Sequence, residues 1–268
     1  MTLEAHAKIN LTLEVLGCRV DGYHDLRSVV VPIPLHDDID LAPAEGISVM
    51  GCPQISLERN LAYKAAVLLQ QVSGRTDGVA ISLVKRIPSG AGLGGGSADA
   101  AAVLNGLNEM WKLGIPRMDL AALGAQIGSD IPALVLGGPV LMEGRGERVS
   151  ALPPETMPDF SRFVLRVPPI FCSTPEVFRA YRPEDHGLCR NDLQPAACRL
   201  HPGIVRALAD LEAEGCQGVQ MSGSGSAVFG WQPVRSTTGH PLGRHEAYAI
   251  SGYGRGSSSS TSPKPRGP

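Results

Sequence analysis

Residues 88–98 read PSGAGLGGGSA, with five glycines in the seven positions from Gly90 to Gly96. Glycine loses more backbone entropy on ordering than any other residue, so this run forms no regular helix or strand by itself. Directly after it, ADAAAVLNGLNEMWK is rich in good helix formers. Phosphate binding explains the pairing. Successive glycine N–H groups can form a concave nest for phosphate oxygens, and only a residue without Cβ lets the backbone come that close. A helix starting near Ser97 adds its unpaired N–H groups and positive dipole end to the same spot. Other readings explain less. Gly90, Gly92 and Gly95 satisfy G-x-G-x-x-G, but the helix runs into GIPRMDLAALGAQI, another helix, where a dinucleotide fold needs a second parallel strand. A Walker A loop needs lysine before Ser97, and that residue is Gly96. A flexible linker leaves the strand before the loop and the helix after it unexplained.

The elements that must position this loop follow from periodicity. AKINLTLEV (7–15) alternates, with Ala7, Ile9, Leu11, Leu13 and Val15 on one face and Lys8, Asn10, Thr12 and Glu14 on the other. That pattern predicts one half-buried strand with a solvated polar face. DGYHDLRSVVVPIPL (21–35) reads as a turn and a second extended run, and HDDIDLAP (36–43) as a third. RNLAYKAAVLLQQV (59–72) carries Leu61, Ala65, Leu68 and Val72 at helical spacing. GVAISLVKRI (78–87) is a strand feeding the glycine loop, followed by helices over 97–112 and 117–127. Asp130, in GSDIP ahead of a proline, reads by default as a turn residue. The proline-rich ALPPETMPDF (151–160) predicts a boundary between a first domain, 1–150, and a second, 151–230. In the second, RFVLRVPP is a strand and STPEVFRAY a short helix. HPGIVRALADLEAEG is an amphipathic helix on Ile204, Leu208 and Leu211 that Gly215 ends, and GVQMSGSGSAVFG is two strands around a Gly/Ser loop. Residues 231–268 hold one acidic residue, Glu246, among many Gly, Ser and Pro, the composition of a disordered or divergent tail.

The bulk composition narrows the function classes. A net charge of −2 points to neither nucleic acid nor an anionic membrane as partner. No apolar stretch approaches the roughly 20 residues that cross a bilayer, and MTLEAHAKINL has no basic, apolar leader pattern. The six cysteines form no C-x-x-C and the seven histidines no H-x-x-x-H. Reduced thiols in a cytoplasm are therefore expected, and a protein-bound catalytic metal is not.

PSGAGLGGGSADAA resembles the second motif of the GHMP kinases. AKINLTLEVLGCRVDGYHDL, RNLAYKAA, GSDIP and MSGSGSAVFG are similar to other stretches of that family, in order, across roughly residues 5–230. The resemblance implies an α/β chain of the α+β type, with the two-domain GHMP kinase fold and an active site in the inter-domain cleft. It implies an ATP-dependent kinase acting on a small-molecule hydroxyl, with Mg2+ accompanying the nucleotide and no firm protein ligand for it. The A-K-x-N-L strand followed by D-G-Y-H is similar to the branch whose substrate carries a cytidine diphosphate. Within it, Asp130 would be the general base and Lys8 would stand beside it, near the transferring phosphoryl group. Pro88, Ser89, Gly90, Ala91, Gly92, Leu93, Gly94, Gly95, Gly96, Ser97 and Ala98 would hold ATP, with Asn60 and Lys85 flanking its base. Asn10, Tyr23, His24 and Phe178 would meet the substrate, Tyr23 stacking on cytosine, His24 reading its edge and Phe178 forming a second aromatic wall. The loop Ser222–Gly225 would pack near the catalytic pair. Two alternatives stay open: a GHMP kinase for another small alcohol, and a nucleotide-binding protein inactive through its altered C-terminus.

Overall fold

The computed structural model describes residues 1–233. The expected tail therefore lies, from residue 234 onward, outside the described residues. Its first residues do not belong to it: Trp231 ends a strand and donates from Nε1 to Asp159 O at 3.1 Å.

The larger sheet is organised by one strand. Where two extended runs were expected, His24–Ala44 (β3) is continuous over 21 residues. It pairs antiparallel with Thr2–Asn10 (β1), Glu14–Cys18 (β2), Gly78–Val84 (β5) and Val140–Gly144 (β6). Ile47–Met50 (β4) and Arg148–Ala151 (β7) close the sheet in the order β4-β5-β3-β6-β7. Pro32 and Pro34 are tolerated inside β3 because the β1 register shifts there, from His6 opposite His36 to Lys8 opposite Pro32. A proline without an N–H is accommodated where the ladder is irregular.

The single strand expected over 7–15 is broken. After Asn10 the chain leaves β1, and the Leu13 N–H bonds Arg190 O at 2.8 Å, in the second half of the molecule. Nor is its polar face solvated, since Lys8 and Asn10 are 3% and 1% exposed. Both faces of β1 are covered because the glycine loop and the Gly/Ser loop lie on its polar side.

Four helices pack with the sheet: Leu61–Ser73 (α1), Gly95–Met110 (α2), Arg117–Gly124 (α3) and Ile131–Leu136 (α4). Helix α2 starts two residues earlier than expected and packs on β1 and β3, beside α1 and α4. Its Ala98, Ala100 and Ala101 are buried, small enough to let the helix close on its neighbours. In α1 the inward face differs from the expected one: Ala62, Ala65, Ala66 and Leu69 are buried, while Val72 is exposed. Small residues win this face because α1 and α2 approach closely. Helix α4 is not legible in sequence, because six residues with Pro132 in the first turn are too short to show a helical period.

The second sheet is antiparallel, with Phe163–Arg166 (β8), Val228–Trp231 (β10) and Gln217–Met221 (β9) in that order. Thr174–Ala180 (α5), Gln194–Leu200 (α6) and Pro202–Ala213 (α7) accompany it. Side chains alternate along its strands, so Phe163, Leu165 and Phe229 enter the large core with Ile9, Ile39 and Leu104. Val164 and Val228 enter a smaller core with Val177, Ile204 and Leu211, which Leu13 and Val15 also join. The two cores therefore interlock across the 151–160 joint. All six cysteines are free thiols. Among the described residues no helix is long and apolar enough to cross a membrane.

Candidate active site

The glycine loop is ordered by alternation. Gly90, Gly92 and Gly94 have φ of +68°, +73° and +70°, and between them Ala91 and Leu93 are buried as anchors. The loop carbonyls are occupied: Gly90 O accepts from Cys172 N (3.2 Å), Ala91 O from Ala227 N (3.0 Å) and Leu93 O from Lys8 N (3.0 Å). Gly92 O accepts from both Lys8 Nζ and Ser222 Oγ, each at 3.0 Å. Among the described residues, no N–H from Gly90 to Ser97 has a protein acceptor. A run of free donors with bound carbonyls is an anion cradle. Side chains are excluded from it. A Cβ on Gly92 would lie 2.2 Å from Ser222 O, and one on Gly94 would lie 3.2 Å from Lys8 Cε.

Loop, β1 and α5 enclose a cleft of about 840 Å³. At its floor, Lys8 Nζ donates to Asn10 Oδ1 at 2.7 Å and lies 3.5 Å from Asp130 Oδ2. Asn10 is fixed in turn by its Nδ2 donating to Ser28 Oγ (2.8 Å), which donates to Thr12 O (2.6 Å). Asp130 precedes α4, yet its side chain makes no capping bond. The carboxylate is therefore left for the cleft. Ser222 Oγ accepts from Asn10 N at 3.3 Å, and Gly223 comes so close that a Cβ there would lie 3.2 Å from Lys8 Nζ. Behind this loop, Asn191 donates from Nδ2 to Met221 O and Gly223 O, at 2.9 and 2.8 Å.

The cleft's opposite wall carries Tyr23, His24 and Phe178. Phe178 stacks on His24 itself, with ring centroids 5.1 Å apart and planes at 26°. Tyr23 is half-exposed, with the Arg145 guanidinium 5.2 Å from its ring centroid. Arg145 and Arg179 both line the cleft, and sequence reasoning missed them. Arg145 stands between two glycines in EGRGER, and Gly146, at φ +114°, packs so tightly on Ser129 that a Cβ would lie 2.2 Å from its carbonyl oxygen. That contact presses the β6–β7 turn against the segment bearing Asp130. An arginine flanked by glycines was the available signal.

Three residues expected at the nucleotide do not line this cleft. Ala98 is buried in the large core. Asn60 caps α1, its Oδ1 accepting from Ala62 N at 2.9 Å and Tyr63 N at 3.4 Å. Lys85 pairs with the buried carboxylates of Asp37 and Asp99. Asp37 Oδ1 also accepts from Arg86 N and Ile87 N, which fixes the chain entering the loop. Burial pushes the Asp99 carboxyl up to about 7 against the pull of Lys85. Burial also opposes the charge on Lys85, but the two carboxylates outweigh it and hold its ammonium above the usual lysine value.

Comparison with known proteins places this geometry. The GHMP kinases N terminal domain family matches residues 60–138, and the GHMP kinases C terminal family matches residues 178–233. The 4-diphosphocytidyl-2-C-methyl-D-erythritol kinase of Symbiobacterium thermophilum is 41% identical over 273 residues, covering 91% of this chain and 95% of that one. The chain belongs to the 4-diphosphocytidyl-2-C-methyl-D-erythritol kinase family of GHMP kinases. A second member, from Moorella thermoacetica, is 42% identical over 258 residues and covers 86% of the chain. A crystal structure of 4-(cytidine 5'-diphospho)-2C-methyl-D-erythritol kinase superposes with a TM-score of 0.76 at 38% identity, over 86% of this chain and 90% of that one. Homoserine kinase from Cytophaga hutchinsonii superposes at 0.64 with 17% identity, over 86% of this chain and 84% of that one, a likeness of fold alone. The α+β, two-part architecture expected from the resemblance is therefore the one observed.

Proposed function

We propose that this chain transfers the γ-phosphoryl group of ATP to the 2-hydroxyl of 4-diphosphocytidyl-2-C-methyl-D-erythritol, a step of isoprenoid precursor synthesis by the methylerythritol phosphate route. The observation that carries the reading is the Lys8–Asp130 pair, 3.5 Å apart, beside a glycine loop whose N–H groups have no acceptor among the described residues. ATP supplies the phosphoryl group, and the loop N–H groups would hold its phosphates. Asp130 accepts the hydroxyl proton as the oxygen–phosphorus bond forms and the bond to the departing ADP oxygen breaks. Lys8, fixed by Asn10 and Gly92 O, stabilises the negative charge that develops between them. Among the described residues Asp130 is the only carboxylate lining the cleft, so a Mg2+ ion accompanying ATP would be held mainly by phosphate oxygens. At the other end, Tyr23, His24 and Phe178 suit a pyrimidine ring, and Arg145 and Arg179 suit the diphosphate that follows it.

The test is ADP release with 4-diphosphocytidyl-2-C-methyl-D-erythritol, mevalonate and homoserine in parallel. Turnover confined to the cytidine substrate is expected. Equal turnover of a simple alcohol, or ATP binding without turnover of any of the three, overturns the proposal.

A further inference from the structure

Away from the cleft, the register of β1 on β3 brings four chemistry-bearing side chains together. His6 lies directly opposite His36, and Glu4 opposite Asp38. Cross-strand partners of an antiparallel pair project from the same face, as do residues two apart on one strand. The result is a square of two imidazoles and two carboxylates.

The imidazoles are oriented as metal ligands are. His6 Nδ1 lies 3.0 Å from Ile33 O, and His36 Nδ1 lies 2.9 Å from Pro34 O. A carbonyl oxygen can only accept, so each Nδ1 carries the proton and donates it. That leaves Nε2 as the coordinating atom, the arrangement that fixes tautomer and ring orientation in metal-bound histidines. Both Nε2 atoms turn to Glu4, that of His6 at 3.2 Å from Oε2 and that of His36 at 3.8 Å from Oε1. One ligand atom from each of the three residues lies within 4.8 Å of the other two. Zinc bonds of about 2.0–2.1 Å in a tetrahedron place neighbouring ligands about 3.3 Å apart, so a small inward movement closes the set. Asp38 Oδ1 stands 3.3 Å from His36 Nε2, while Arg86 Nη2 holds its other oxygen at 2.5 Å. Both rings are partly exposed, which gives an ion a path from solvent.

We propose that Glu4, His6 and His36 form a zinc site, with water in the fourth position and Asp38 positioned to accept a hydrogen bond from it. Two imidazoles and one carboxylate favour zinc over magnesium or calcium, which prefer all-oxygen shells. The bound ion ties β1 to β3 two residues before Lys8. The histidine spacing in sequence gives no hint of this, because the ligands meet across strands.

The test uses the full chain, stripped with chelator and free of nucleotide, titrated with Zn2+ by calorimetry and with Co2+ by absorption. One Zn2+ per chain is expected, with a rise in melting temperature at saturation and a cobalt spectrum lacking any thiolate charge-transfer band. His36→Gln should weaken binding at least about 10-fold. Glu4→Gln, at an exposed side chain that leaves the core untouched, should also weaken it. Kinase turnover of both variants in metal-stripped buffer with Mg-ATP should match the parent, showing that they fold. Absence of stoichiometric binding, affinity in either variant equal to the parent's, or a thiolate band indicating a cysteine site overturns the proposal.

Discussion

Lys8 concentrates the catalytic argument because a buried ammonium needs partners on every side. Asn10 Oδ1 and Gly92 O are neutral acceptors, and Asp130 is the charged one. Asp130→Asn keeps size and polarity, and Lys8 retains its two neutral acceptors. The expected outcome is a kcat lowered by at least about 10²-fold with ATP affinity within a few-fold, measured by steady-state kinetics and calorimetry. Near-normal turnover would remove Asp130 from the reaction. Gly94→Val tests the cradle. At φ +70°, with the Cβ position 3.2 Å from Lys8 Cε, a branched side chain is both strained and crowded. ATP binding at least about 10-fold weaker is expected, with the far-ultraviolet dichroism unchanged. At this scale the residue types were legible in sequence, but burial was not. A lysine on a strand's polar face reads as solvated until the loops that cover it are folded over it, and those lie 80 or more positions away.

Among the elements, α1 and the Lys85 cluster show what local pattern conveys. Asn60 was legible as important but not as a helix cap, because RNLAYKAA reads equally as part of the helix. Asn60→Ala should cost about 1 kcal/mol in chemical denaturation, and Asn60→Asp should restore it. If ATP affinity falls in the alanine variant with no loss of stability, a nucleotide role replaces the cap. Lys85 lies between two buried carboxylates, one more than its charge can match. Burial, with a smaller push from Asp37, raises Asp99 to about 7 in the native state, above the ordinary carboxyl value it has when unfolded. Between about pH 4 and 7 the folded chain binds the extra proton, so this group's contribution is full below pH 4 and is lost as pH rises through 7. Asp99→Asn should flatten that decline by on the order of 2 kcal/mol, read from denaturation midpoints at pH 5 and pH 8. Strand alternation marked β1 and β3 correctly as extended. It could not show that β1 stops at Asn10, because that break is made by Arg190 and Asn191 from the other half of the chain.

For the molecule as a whole, the interlocked cores matter more than the boundary between family domains. The small sheet buries one face in each core, and the segment at Leu13 and Val15 crosses over to the smaller one. Asp192 secures that crossing: Oδ2 accepts from Val15 N and Oδ1 from Gly187 N, each at 2.8 Å. Asp192→Ala leaves both donors unpaired, at a cost on the order of 1–3 kcal/mol each where water cannot replace the carboxylate. Differential scanning calorimetry should show a lower melting temperature with a single transition retained. Two separated transitions would mean that the halves fold independently. Such interlocking was not visible in a linear reading, in which the prolines of 151–160 look like a clean division.

The occupied carbonyls of the glycine loop have a thermodynamic side. With Ala91 and Leu93 already packed and each carbonyl from Gly90 to Leu93 already bonded, the loop is preorganised, so a nucleotide meets a mould rather than a chain that must fold around it. The ordering entropy was spent when the protein folded, so it does not subtract from affinity. The heat-capacity change on binding should then reflect only the surface that the ligand itself covers, far less than coupled folding would produce.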